Sequence, residues 1–199
     1  MSHSEDLQIL RKFVSPLYAF SSEEEWEHFA GIWKLFTAKR KTLLLATGET
    51  EKHLYFVTEG VQRAFSISGD EKDVTLVFTY APSFSGVVDS FLLQQPSKYY
   101  METLTASRFI RTTYSQVDEM MKIYPSFQSF IIKALSATLS GVLERQIELQ
   151  CFSAEQKFLT LLKRSPHVLR LIPHKYLASY LGIDATTFSK LLGSVRLTM

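Results

Sequence analysis

Between Lys41 and Tyr114 the sequence carries short β-branched and aromatic runs, cut at roughly ten-residue intervals by glycine turns and flanked on both sides by helical periodicity. The runs are Leu43-Leu44-Leu45, Leu54-Tyr55-Phe56-Val57, Arg63-Ala64-Phe65-Ser66-Ile67 and Val74-Thr75-Leu76-Val77-Phe78. Turn signals at Thr47-Gly48-Glu49, Glu59-Gly60 and Ser68-Gly69-Asp70 separate them, and two more strands are expected at Tyr99–Leu104 and Arg108–Tyr114. Short strands at this spacing argue for an antiparallel barrel or sandwich. The expected class is α+β: an antiparallel β-barrel of the double-stranded β-helix or jelly-roll kind, then a long helix and a small helical C-terminal domain.

Residues 5–38 read as helical, with Leu7, Leu10, Val14 and Leu17 at three- and four-residue spacing and Trp26, Phe29, Ala30 and Trp33 on one face. Ser22 precedes Glu23-Glu24-Glu25, a helix cap followed by acids that read as a solvated first turn. From Tyr124 to Gln150 the period is helical again. Phe127, Ile131, Leu135, Thr138, Val142 and Ile147 lie near one face, with Phe130, Ala134, Leu139 and Leu143 beside them. About 27 residues at ~1.5 Å each make a rod of ~40 Å. Its polar face is thin until Glu144, so two sides are to be buried, one on its own barrel and one on a symmetry mate. A helix buried wholly within one chain is the alternative. Ser153-Ala154-Glu155-Gln156 fits a capping box, opening a helix that carries Phe158, Leu159, Leu161 and Leu162 and stops before Pro166. The domains are therefore expected at 1–150 and 151–199.

Charge divides along the same line. After Cys151 there are seven basic residues against two acidic ones, a net +5, while the rest of the chain carries −3. A small basic domain on a mildly acidic body suggests a polyanionic partner for that end. Within it, Pro173 suits a first helical turn, Ala178 is small where two helices approach, and Gly182 sits where a turn needs positive φ. Asp184 can cap a second helix that Phe188 and Leu191 pin to the first. This spacing is that of a DNA-binding helix-turn-helix. Residues near the start of the second helix would face base edges: Ala185, Thr186, Thr187, Ser189 and Lys190. Lys175, Tyr176 and Arg196 are candidate phosphate contacts. No arginine is expected on the second helix, so the strongest guanine-reading contact is missing and modest affinity is expected.

One cysteine, Cys151, excludes an intrachain disulfide and a four-thiolate iron–sulfur cluster. At a helix junction it reads as a small core residue. No apolar run is expected to span a bilayer, and no basic, apolar leader opens the chain, which points to the cytoplasm. The five histidines are scattered, and no nucleophile elbow or phosphate loop is present, so no metal, cofactor or catalytic residue is assigned.

With both halves in view, the chain resembles the Crp/Fnr family of bacterial regulators over nearly its whole length. The resemblance rests on Gly48-Glu49, Leu54-Tyr55-Phe56-Val57, Gly60 and Gly69-Asp70-Glu71 in the barrel, and on the Ala178, Gly182 and Phe188 frame. It implies a cyclic-nucleotide-binding-like, effector-sensing barrel and a homodimer bound to double-stranded promoter or operator DNA, with RNA polymerase as a further partner and no membrane. The family's cassette of Phe-Gly-Glu followed by Pro-Arg-Ser/Thr-Ala is altered here. Phe84-Ser85-Gly86-Val87-Val88-Asp89 and Gln95-Pro96-Ser97-Lys98-Tyr99-Tyr100 put Val87 in place of the acid and Ser97 in place of the arginine. Asp89 and Lys98 are shifted, and a one-residue shift in a strand reverses the face a side chain points from. The effector pocket is thus expected around Gly86, Val87, Val88, Ser97, Lys98 and Tyr99, for a ligand other than cyclic AMP. Two other readings remain: a sensor or scaffold of this fold that no longer binds specific DNA, and a barrel-fold enzyme.

Overall fold

A computed structural model describes residues 2–69 and 72–196, with side chains through Ser194. Asp70 and Glu71 of the third turn signal, and the side chain of Arg196, lie outside the described residues. The elements in chain order are α1 (His3–Val14), α2 (Glu23–Gly31), β1 (Lys34–Ala38), β2 (Leu43–Leu45), β3 (His53–Glu59), β4 (Val61–Ile67), β5 (Asp73–Tyr80) and β6 (Ser83–Ser85). They continue with α3 (Val88–Leu93), β7 (Tyr100–Thr103), β8 (Ser107–Thr113), α4 (Tyr114–Ile123), α5 (Pro125–Cys151), α6 (Ala154–Arg164), α7 (Val168–Leu171), α8 (His174–Leu181) and α9 (Ala185–Arg196).

The chain divides into two compact units, Met1–Ala64 with Phe78–Ala137, and Phe65–Val77 with Thr138–Met199. The strands form two four-stranded sheets, β1-β8-β3-β6 and β2-β7-β4-β5, rather than one closed barrel. The class is the α+β one expected.

In the first unit, the period-2 alternation of β3 and β8 sorts residues to two faces. Phe56 and Ile110 join Leu10, Val14, Phe29, Trp33, Met120 and Phe127 in the core under α1, α2, α4 and the start of α5. Tyr55, Val57 and Phe109 turn to the opposite face, against Phe36, Leu44 and Ala81. Register fixes this arrangement, with Tyr55 opposite Arg111 and Val57 opposite Phe109. At Gly60 φ is +93°, and a Cβ would meet Ser107 Oγ at 2.4 Å, so the β3–β4 corner demands glycine. Asp6, fully buried, accepts hydrogen bonds from both Nε and Nη2 of Arg108 and ties α1 to β8.

Four local expectations are corrected. Residues 34–38 are strand rather than helix, because they pair along their whole length with β8. α4 begins ten residues before the expected helix at Tyr124, with Gln116 accepting from the Thr113 amide at 3.1 Å. Glu25 is not solvated. It is buried and accepts from Tyr18 Oη, the Ser21 amide and hydroxyl, and Ser126 Oγ, all within 2.6 Å. Cys151 is exposed, since it closes α5 at the helix surface. α5 is long enough, and apolar enough in composition, to cross a membrane, although polar residues interrupt its apolar runs.

Candidate nucleic-acid interface and effector pocket

The second unit is built around Phe158, Leu161, Val168, Ile172, Leu177, Ala178, Leu181 and Phe188, all buried. α6 opens on the expected capping box: Ser153 Oγ accepts from the Gln156 amide and the Gln156 side chain accepts from the Ser153 amide. Gly182 caps α8 in the left-handed region, φ +65°, while the Ile183 amide reaches back to the Ala178 carbonyl at 3.1 Å. That corner lets α9 turn away sharply. Phe188 then packs edge-on against Phe158 at 5.3 Å, which pins α9 to α6.

Asp184 caps α9 by accepting from the Thr187 amide at 2.8 Å and the Thr187 hydroxyl at 2.6 Å. These bonds hold the Asp184 carboxyl below its usual range. Thr187 is therefore half-buried and engaged in the cap, whereas Ala185, Thr186, Ser189 and Lys190 are exposed together on the first turns of α9. Lys175 is exposed with Nζ 4.7 Å from the centre of the Tyr176 ring, and Tyr176 is half-buried. α9 runs on to Arg196, so an arginine does stand on this helix, at its far end, contrary to expectation. The error came from stopping the helix too early, since nothing before Arg196 breaks it.

Two features of this unit were not read from sequence. Ser179 on α8 accepts from the Thr75 amide at 3.0 Å and donates to the Asp73 carbonyl, so the start of β5 is bonded to the helix-turn-helix. The last turns of α5 are held by charge. Buried Glu148 accepts from Arg145 at 2.8 Å and from Arg164, and Arg145 also donates to the Tyr180 carbonyl while stacking 4.1 Å over the Tyr180 ring. The i, i+3 spacing of Arg145 and Glu148 was the available signal.

In the first unit, the altered cassette is filled by its own side chains. Val87 is buried against Leu45 and Met101, with Leu44 and Tyr99 packed on the same cluster. Ser97 is buried and closes on itself, donating to the Tyr99 carbonyl at 2.8 Å and accepting from the Tyr99 amide at 2.9 Å. Its backbone pairs with the Gly48-Glu49 turn. Val88 begins α3, and Lys98 and Asp89 are exposed. Gly86, Val87 and Tyr99 thus meet near one another, while Lys98 faces water.

The space that is open lies beside this cluster. A cavity of about 540 Å³ is lined by Phe36, by residues 42–45 and 49–53, and by Tyr55 and Arg111. Glu51 stands in its wall, 2% exposed, with one oxygen accepting from the His53 amide and Oε2 lacking a hydrogen-bond partner among the described residues. Burial pushes its carboxyl up to about 7 against the pull of the His53, Val87 and Lys52 amides. Burial, then the charges of Arg111 and Lys52, hold His53 below its usual range.

No protein-family model matches the sequence, and no curated protein matches it. Solved structures do. FixK2 from Bradyrhizobium japonicum superposes with a TM-score of 0.75 at 13% identity, covering 84% of this chain and 86% of its own. The c-di-GMP responsive global regulator CLP from Xanthomonas campestris gives 0.66 at 15% identity, covering 89% and 93%. A transcriptional regulator assigned to the Crp/Fnr family from Eubacterium rectale gives 0.69 at 13%, covering 89% and 84%. At these identities the likeness is one of fold: the chain has a Crp/Fnr-like fold.

Proposed function

We propose that this chain, built on the Crp/Fnr regulator fold, is a transcription regulator that binds double-stranded DNA as a homodimer through α9. The observation that carries the reading is the helix-turn-helix itself. Its turn is closed at Gly182, its core is sealed by Phe188, and Ala185, Thr186, Ser189 and Lys190 stand exposed where such motifs meet base edges. Lys175 and Tyr176 on α8, and Arg196 at the end of α9, are the phosphate contacts. The net +5 of residues 152–199 supports a polyanionic partner.

Dimerisation is assigned to α5, where Ile132, Leu135, Leu139, Val142, Leu143 and Ile147 are exposed in the single chain. A stripe of this kind is covered by a second copy of itself in a coiled-coil seam. Residues 1–150 act as the effector-sensing part and 151–199 as the DNA-reading part, with RNA polymerase as the partner at a promoter. An effector shifts activity only by its difference in affinity for two arrangements of these parts. Filling of the cassette by Val87, Leu45 and Met101 argues against a cyclic nucleotide there.

The test is selection from random duplex DNA followed by mobility shifts across about 50–200 mM salt. A recovered site with half-sites about 34 Å apart, and binding that falls steeply with salt, supports the reading. Absence of any shift at the lowest salt refutes it in favour of the second reading, a scaffold of the same fold without specific DNA binding. That reading draws on one observation: Thr187, a candidate base contact, spends its hydroxyl on Asp184.

A further inference from the structure

The cavity of the first unit brings a guanidinium and a buried carboxyl oxygen into one wall. Arg111 stacks 4.1 Å over the Phe36 ring and hydrogen-bonds to the Tyr55 hydroxyl but forms no ion pair among the described residues, so a guanidinium sits at the cavity wall without a carboxylate bound to it. Arginine presents a planar fork that matches a carboxylate with two parallel bonds. Glu51 Oε2 is an acceptor buried in the same wall with no hydrogen-bond partner among the described residues. Phe36, Leu43 and Leu44 supply an apolar side, and about 540 Å³ is within the range of small-molecule sites. The altered cassette touches this wall: a Cβ on Gly86 would lie 3.4 Å from the His53 carbonyl and 4.0 Å from Glu51 Oε2.

We infer that this cavity is the effector site, and that it takes a small aromatic carboxylic acid bearing a hydrogen-bond donor, its carboxylate on Arg111 and its donor toward Glu51. The flat body lies against Phe36 and the leucines, where an apolar ring replaces water. Lys52 adds a second cation near the carboxylate, and Tyr55, opposite Arg111 in the register, lines the inner wall. The inference rests on the proposed sensing role of residues 1–150 but not on DNA binding. It moves the ligand away from Val87 and Ser97, whose side chains are already engaged.

Titration calorimetry on the whole protein tests it with salicylate, 4-aminobenzoate and indole-3-acetate as probes and salicylamide as the neutral match to salicylate. Saturable binding of at least one acid below about 10 mM is expected, with salicylamide at least about tenfold weaker, since a charged hydrogen bond is worth that factor or more. Arg111→Gln should weaken the same acid by about tenfold or more, and the wild-type comparison with salicylamide stands even where that variant misfolds. No saturation by any acid, or equal binding of salicylate and salicylamide, overturns the assignment. Binding of an acid that leaves DNA affinity unchanged would uphold the site and remove only its regulatory role. DNA binding that persists while every acid fails would remove the site alone.

Discussion

Replacing Glu148 with alanine probes how the end of α5 is held to the helix-turn-helix. The carboxylate bridges Arg145 and Arg164, and its loss leaves Arg145, whose side chain is 13% exposed, with only the Tyr180 carbonyl and ring as partners among the described residues. Breaking a buried pair from one side costs about 3–5 kcal/mol, and the retained Tyr180 contacts place the loss near the lower end. Arg164, 50% exposed, adds less than about 1 kcal/mol. A loss of about 3 kcal/mol corresponds to a Tm lower by about 6–12 °C for a chain of this length. Acid gives a second handle. Burial alone would raise the Glu148 carboxyl, but Arg145 and Arg164 outweigh it and hold it below the usual range. A depressed acid contributes stability that is full above its unfolded pKa and is lost as pH falls through the folded one. The gap between wild type and Glu148→Gln, read from circular dichroism melts, should therefore be level from about pH 6 to 8 and shrink below about pH 4. An alanine variant melting within about 1 °C of wild type, or a gap unchanged in acid, would refute the bridge.

Three further outcomes are expected. Lys190→Ala should weaken DNA binding and lower the slope of affinity against salt by about one phosphate's worth, ~0.9, whereas Thr187→Ala should lose only its hydroxyl bond to Asp184, keep the amide bond of the cap, and cost about 0.5–1 kcal/mol in a melt; an unchanged salt slope for Lys190→Ala would show that α9 does not face the duplex. Gly182→Ala should destabilise by about 1–2 kcal/mol, because alanine resists the left-handed region and its Cβ would also sit 3.4 Å from Leu149 Cδ2; a neutral melt would refute the corner. Glu51→Gln should stabilise the protein above about pH 7, by at most about 3 kcal/mol, and not near pH 4.5, because the buried carboxyl titrates near 7. The fold loses stability as pH rises from the ordinary glutamate range to that value, with Glu49, Lys52, His53, Tyr55 and Arg111 facing the same cavity; equal gains at both pH values would show that the carboxyl is not buried as a neutral group.

What could be read from sequence was local. Ala178, Gly182 and Phe188 define their corner within eleven residues, and Ser153 with Gln156 within four, so pattern sufficed. The strands at 54–57 and 63–67 were legible because β-branched and aromatic runs end at Gly60, where only glycine fits. β1 was missed because Lys34–Ala38 follows a helix directly and is held as a strand by pairing with β8, some seventy residues on. Glu25 was misread for the same reason, since one of its donors, Ser126, comes from 101 residues further along the chain. Loss of the nucleotide cassette at Val87 and Ser97 was visible as residue identity, but the cavity beside it was not. Arg111 reaches that wall only because register sets it opposite Tyr55, and no spacing rule along the chain carries that information.

α5 shows why composition has to be weighed against position. Its apolar content would suit a bilayer, yet Phe127 and Phe130 are buried in the first unit's core, with Ile131 and Ala134 packed on it. The remaining helix, 135–151, spans only about 25 Å at ~1.5 Å per residue, short of the ~30 Å of a hydrocarbon core. That remainder also contains Glu144, Arg145 and Glu148, the last two committed to the bridge with Arg164. Lipid would surround the helix on every side, whereas Leu135, Leu139, Val142 and Leu143 share one side and Ser140 and Glu144 another. In the proposed dimer a partner helix would cover the first side and leave the second in water. One-sided apolarity over this length, continuous with an end fixed by an ion pair to α6 and a hydrogen bond to α8, is the pattern a dimer seam requires and a membrane span does not.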